Sequence, residues 1–243
     1  MNPVDRLVVA LDVPDLGGAR ALATALSGTV GVFKVGLEQF VAHGPAAVEA
    51  ARAGGAAIFL DLKIHDIPRT AAAAVRSAGT LGVRFTTLHA LGGREMVAAA
   101  REAAEACGAE RPQLLAVTVL TSHDARSLAS LGLASDSPEL NALRLARLAL
   151  EAGADGLVAS ALEAPRLRRE LGDGFWLVTP GIRMPGDAHG DQARVASPSQ
   201  AVRGGASHVV VGRPIVKADD PRAAAERVVA DLAAATAPGS GGA

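Results

Sequence analysis

One cysteine in 243 residues, Cys107, leaves no internal disulfide to form, and nothing in the chain has zinc-ligand spacing. A reducing, cytoplasmic setting is the default that follows. Charge of one sign is also missing. Lys+Arg 24 against Asp+Glu 25 gives a formal net charge of −1, which argues against a general nucleic-acid-binding surface and leaves any anionic ligand to be held locally. No apolar run approaches the roughly 20 residues of a membrane span, and MNPVDRLVVALDV reads straight into a strand, without the pattern of a signal peptide. Aromatic side chains make up 2% of the chain and hydrophobic ones 49%. A chain of this length can bury roughly 70 to 75% of its unfolded surface, so residues 1–236 read as one soluble domain. The closing APGSGGA, residues 237–243, has nothing to bury and reads as a disordered tail.

Short apolar, β-branched runs alternate with longer Ala/Leu/Arg/Glu segments of helical period, the pattern of βα units around a parallel sheet. Eight candidate strands follow: Arg6 to Asp12, Gly31 to Gly36, Ala57 to Lys63, Arg84 to His89, Leu114 to Thr121, Gly156 to Ser160, Trp176 to Pro180 and His208 to Gly212. Ser197-Pro198-Ser199-Gln200 has the form of a capping box, and Ser137-Pro138 and Asp220-Pro221 each pair a cap with a proline. Eight such units in this length fit a (β/α)8 TIM barrel, typically roughly 250 residues. A doubly wound open sheet is the alternative, but the first βα turn, Asp12 to Gly18, has no G-x-G-x-x-G for a dinucleotide.

A barrel builds its active site at the C-terminal strand ends. Asp12, Lys34, Asp61, Lys63, His89, Thr121 and Ser160 stand at or near those ends. In Asp61-Leu62-Lys63, regular strand alternation puts Asp61 and Lys63 on one face, and Lys34 on the neighbouring strand can reach them. Any one Lys–Asp pair could simply tie two strands together. Three charges inside apolar strands point to function, because buried ions are costly without a compensating role. A second concentration comprises Arg183, Gln192, Gly212 and Arg213 on the loops after strands seven and eight, where barrels commonly bind phosphate and where glycine and arginine suit an anion. Met184 to Asp191 is glycine-rich and aperiodic, the composition of a lid. His89 reads equally as a bonded barrel residue or a catalyst, His43, His123, His189 and His208 as loop or edge residues, and Cys107 as a small apolar residue of the helical stretch Arg94 to Gly108.

The string DLKIHDIP from Asp61, with Thr70 shortly after, resembles the D-x-K-x-x-D-I-P signature of the orotidine 5′-phosphate decarboxylase family, bacterial type. LDV at Asp12, FKVG at Lys34, VLTS at Thr121, TPGIR at Arg183, GDQ at Gln192 and VVGRPI at Arg213 follow in family order over nearly the whole chain. Arg69 departs from the usual asparagine. The resemblance implies decarboxylation of orotidine 5′-phosphate to UMP, the last step of de novo pyrimidine synthesis, in a homodimer with shared active sites and without metal, flavin or pyridoxal. By the same resemblance Asp12, Lys34 and Thr70 would hold the ribose, and Lys34 would join the charged network. Asp61, Lys63 and Asp66 would carry the chemistry, Asp66 and Thr70 coming from the other subunit. Thr121 and Ser122 would meet the pyrimidine, and Arg183, Gln192, Gly212 and Arg213 the phosphate. From its position alone, Asp66 could equally cap the next helix of its own chain. The rivals are a Mg²⁺-dependent hexulose-phosphate synthase or keto-gulonate-phosphate decarboxylase, which shares D-x-K-x-x-D, and a non-catalytic nucleotide sensor.

Overall fold

The computed structural model describes residues 1–133, 137–184 and 196–236. The expected tail, Gln192 and nearly all of the expected lid lie outside those residues. Eight parallel strands are present: β1 (Leu7–Ala10), β2 (Val32–Gly36), β3 (Ala57–Ile64), β4 (Phe85–His89), β5 (Gln113–Val117), β6 (Gly156–Val158), β7 (Trp176–Thr179) and β8 (His208–Val211). They pair in chain order, and β8 returns to β1 with Val8 opposite Val210. Closure excludes the open sheet. β5 stops at Val117 rather than at Thr121: Thr118 donates its N–H to the Val158 carbonyl (3.1 Å), and His123 then closes a turn on the Leu120 carbonyl (3.0 Å).

Packing separates into an inner layer and an outer shell. Inside the barrel, Val8, Val32, Phe59, Phe85, Leu115, Val178 and Val210 meet side chain to side chain. Outside, alanine-rich helices lie close to the strands because small residues recur at helical spacing. Helix Pro68–Gly79 buries Ala71, Ala72, Val75 and Ala78, and helix Gly93–Glu105 buries Met96, Val97, Ala100, Ala103 and Ala104, each set forming one stripe. Gly156 on β6 is required by proximity, since a Cβ there would lie 2.4 Å from the Trp176 carbonyl oxygen. All three expected caps form. Ser197 and Gln200 make the reciprocal capping box, Ser137 accepts from the Leu140 N–H (3.3 Å), and Asp220 accepts from the Ala223 N–H (3.0 Å). Cys107 falls just past the end of its helix, half-buried, with Sγ 3.5 Å from the Ala103 carbonyl.

His208 overturns its expected place at an edge. It is the first residue of β8, fully buried, and packs edge-on against Phe85 (5.3 Å between ring centres) and Trp176 (5.4 Å) at the N-terminal end of the barrel. Neither ring nitrogen has a hydrogen-bond partner among the described residues. Burial, with smaller contributions from Arg84 and Arg6, lowers its pKa to about 3, so the imidazole is neutral. No helix among the described residues is long and apolar enough to cross a membrane.

Candidate active site

β3 carries the densest chemistry, and its backbone is not a regular strand there. Leu60 pairs with Thr86 and Ile64 with Leu88, so four steps along β3 match two along β4. Lys63, within this bulge, has φ 51°, the left-handed region that a lysine seldom occupies. Asp61 and Lys63 do meet, with Lys63 Nζ 2.8 Å from Asp61 Oδ2. Their meeting depends on the bulge rather than on the simple alternation the sequence suggested.

Thr87 on β4 organises both groups. Its hydroxyl donates to Asp61 Oδ1 (2.9 Å) and accepts from the Lys63 backbone N–H (2.9 Å). Lys34, from β2, extends the array, its Nζ standing 3.5 Å from Asp61 Oδ2 and 3.7 Å from Asp12 Oδ1. Burial alone would raise the Asp61 pKa. The Lys34 and Lys63 ammoniums, with hydrogen bonds from Lys63 and Thr87, reverse that and hold it below the usual carboxylate range. Asp12, Lys34, Asp61 and Lys63 therefore alternate in sign across three adjacent strands.

These four residues line one side of a cavity of about 550 Å³ at the C-terminal mouth of the barrel, the size of a small-molecule site. Thr121, Arg183, Gly212 and Arg213 line it elsewhere, and Phe59, Val117, Val158 and Val210 supply apolar lining. Glu38 and Lys217 also reach it, and neither stood out in the sequence. A larger hollow of about 640 Å³ at the opposite face borders Asp155 and Trp176. Asp155 is already consumed there by Arg101 (2.8 Å) and Arg111 (2.7 Å), so that hollow offers no comparable array.

The remaining sequence candidates divide. Ser122, Asp66 and Thr70 are exposed and do not line the cavity of their own chain. Among the described residues Asp66 accepts only from the Ile67 N–H (2.7 Å), and helix Pro68–Gly79 has no side-chain cap, so the capping alternative for Asp66 is not realised. Ser160 is buried in a turn with Glu163, which accepts from its N–H (2.9 Å). His89 stands beside the cavity, lining a separate pocket of about 50 Å³ with Thr118 and His123. Burial first, then the charges of His65, Lys63 and His123, lowers its pKa to about 4.

Comparison with known proteins bears on this geometry. Residues 5–228 match the model of the orotidine 5′-phosphate decarboxylase / HUMPS family. An orotidine 5′-phosphate decarboxylase of Alkalilimnicola ehrlichii is 54% identical over 94% of this chain and 97% of its own length. Its counterpart from Anaeromyxobacter sp. (strain K) is 51% identical over 96% of this chain and all of its own. Among solved structures, the orotidine 5′-phosphate decarboxylase of Lactobacillus acidophilus superposes with a TM-score of 0.81 at 38% identity, covering 93% of this chain and 98% of that one. With the closed barrel and the charge array at its mouth, these matches establish that the chain belongs to the orotidine 5′-phosphate decarboxylase / HUMPS family.

Proposed function

We propose that the chain converts orotidine 5′-phosphate to UMP and CO₂ in de novo pyrimidine nucleotide synthesis, in the cytoplasm and without a cofactor. The observation that carries this reading is the Asp12–Lys34–Asp61–Lys63 array, its Lys34 and Asp61 largely buried, in a cavity that Arg183 and Arg213 also line. Breaking the bond between C6 and the carboxyl carbon leaves an electron pair on C6 with little resonance relief. A fixed ammonium is the group that stabilises such a pair and then protonates it. Lys63 takes that role. Asp61, with Asp66 from the second copy, fixes its position, Lys34 joins the charged network through Asp61, Asp12 and Lys34 bind the ribose, and Thr121 with Ser122 reads the pyrimidine. Arg183, Gln192, Gly212 and Arg213 hold the phosphate, whose binding energy is expressed at the distant reacting carbon.

Asp66 and Thr70 complete the site of a second copy in a two-fold dimer. Two features support this: both are exposed and away from their own cavity, and exposed apolar residues accompany them on successive βα units, with Val41 79%, Ile67 62% and Leu91 43% accessible.

The test follows orotidylate absorbance with metal-stripped protein. Turnover that survives a chelator is expected. Turnover that appears only with added Mg²⁺, or binding of UMP without turnover, overturns the reading in favour of sugar-phosphate chemistry or a nucleotide sensor.

A further inference from the structure

Helix Leu37–His43 buries one side chain, and it is a carboxamide: Gln39, 3% exposed. Its Nε2 donates to the Val13 carbonyl, while its Oε1 is buried without a hydrogen-bond partner among the described residues. A carboxamide that leaves water with part of its bonding capacity unmet is a poor source of stability. What it grips is more informative. Pro14 has no N–H, so the Val13–Pro14 peptide offers only its carbonyl as a hydrogen-bonding handle, and one turn further along the helix His43 Nε2 stands 3.4 Å from the next carbonyl, that of Pro14.

The gripped segment carries Asp12. The Leu11 N–H donates to the Lys34 carbonyl (3.0 Å), and the Val13 N–H turns back onto the Leu11 carbonyl (3.0 Å), a three-residue turn with Asp12 at its apex. One side of this turn is therefore tied to β2 and the other to Gln39. The same helix starts beside the Asp12–Lys34 pair, since a Cβ on Gly36 would lie 3.0 Å from Lys34 Nζ and 3.4 Å from Asp12 Oδ1. Among the described residues the Asp12 carboxylate has one ion pair, the 3.7 Å approach to Lys34 Nζ. Its direction is set mainly by the backbone that presents it.

We propose that Gln39 is a positioning residue for substrate binding: by holding the Val13 carbonyl it fixes the Leu11–Val13 turn and aims Asp12 at the ribose hydroxyls. This rests on the reading of Asp12 as a ribose ligand. The donor is what matters, because a carbonyl is held by an N–H or O–H. A methionine or leucine at position 39 fills the space and lets the turn move.

Calorimetry compares UMP with 2′,3′-dideoxy-UMP, which lacks the ribose hydroxyls, on wild type, Asp12→Asn, Gln39→Met and Gln39→Leu, with urea melts alongside. Both Gln39 variants should weaken UMP about fivefold, the scale of one hydrogen bond, and bind the dideoxy nucleotide as wild type does. Their urea midpoints should stay at or above that of wild type, because an apolar side chain of similar size removes a half-satisfied polar group. Combined with Asp12→Asn, Gln39→Met should cost UMP nothing further, since residues that act through one another are not additive. Unchanged UMP affinity in both variants overturns the inference. So does an equal loss for the two nucleotides, or a lowered urea midpoint in both variants, either of which would make Gln39 a structural tie. If Asp12→Asn binds UMP as tightly as wild type, the ribose reading of Asp12 fails, and that result shows without any change at Gln39.

Discussion

Thr87 contributes one hydroxyl to two different demands. It satisfies a buried carboxylate and pins the backbone of a lysine held at φ 51°, a conformation that costs a non-glycine residue of order 1 kcal/mol or more. Thr87→Val keeps the volume and removes both bonds, each contributing about 0.5 to 1.5 kcal/mol net. A fall in kcat of about tenfold or more is expected, with KM little changed because Thr87 does not line the cavity. Thr87→Ser should restore most of the loss. A Thr87→Val enzyme with wild-type kcat would reduce the residue to packing. Lys63→Ala makes the complementary case: turnover should fall far below about a tenth of wild type, a barrier change well beyond roughly 1.4 kcal/mol, while calorimetry should still detect UMP if the proposed ribose and phosphate contacts supply its affinity.

At the level of elements, β8 makes the fold sensitive to acid at its own base. His208 has its pKa lowered from 6.5 to about 3, so the unfolded chain binds a proton there more readily than the folded one. Stability from this group is complete above about pH 6.5 and is lost as pH falls toward 3, by about 1.4 kcal/mol per pH unit. In urea melts across that range, His208→Leu should show a shallower acid slope than wild type, whatever its absolute stability; parallel slopes would rule His208 out as the titrating group. The strands were legible in the sequence because apolar runs bounded by polar residues at Asp12, Asp61 and His89 mark where a barrel's mouth begins. His208 was not legible, since a polar residue opening an apolar run looks the same at an edge and in a barrel floor. Thr87 escaped notice because threonine is an ordinary strand former, and the β3 bulge because nothing local distinguishes Lys63 from a residue in regular register. The chemistry of Asp61 and Lys63 could be read, but not the backbone that joins them.

At the scale of the whole molecule, one barrel brings together Asp12, Lys34, Asp61 and Lys63 but leaves Asp66 on its outer surface. Mixing inactive Lys63→Ala with inactive Asp66→Ala, after subunit exchange is verified, should restore about a quarter of wild-type activity, since half of randomly paired dimers carry one intact site of two. Activity that stays at background would refute the shared site. The lower half of the barrel has an optical consequence. With no tyrosine and one tryptophan, near-ultraviolet emission originates at Trp176, set between Phe85 and His208 with the Arg84 guanidinium 5.5 Å above its ring. Trp176 opens β7 at the end opposite the mouth, so a nucleotide seated there leaves its glow untouched. The same fluorophore lies against an imidazole whose protonation quenches indole light. The protein therefore carries a built-in lamp that reports its floor coming apart and stays dark to its substrate.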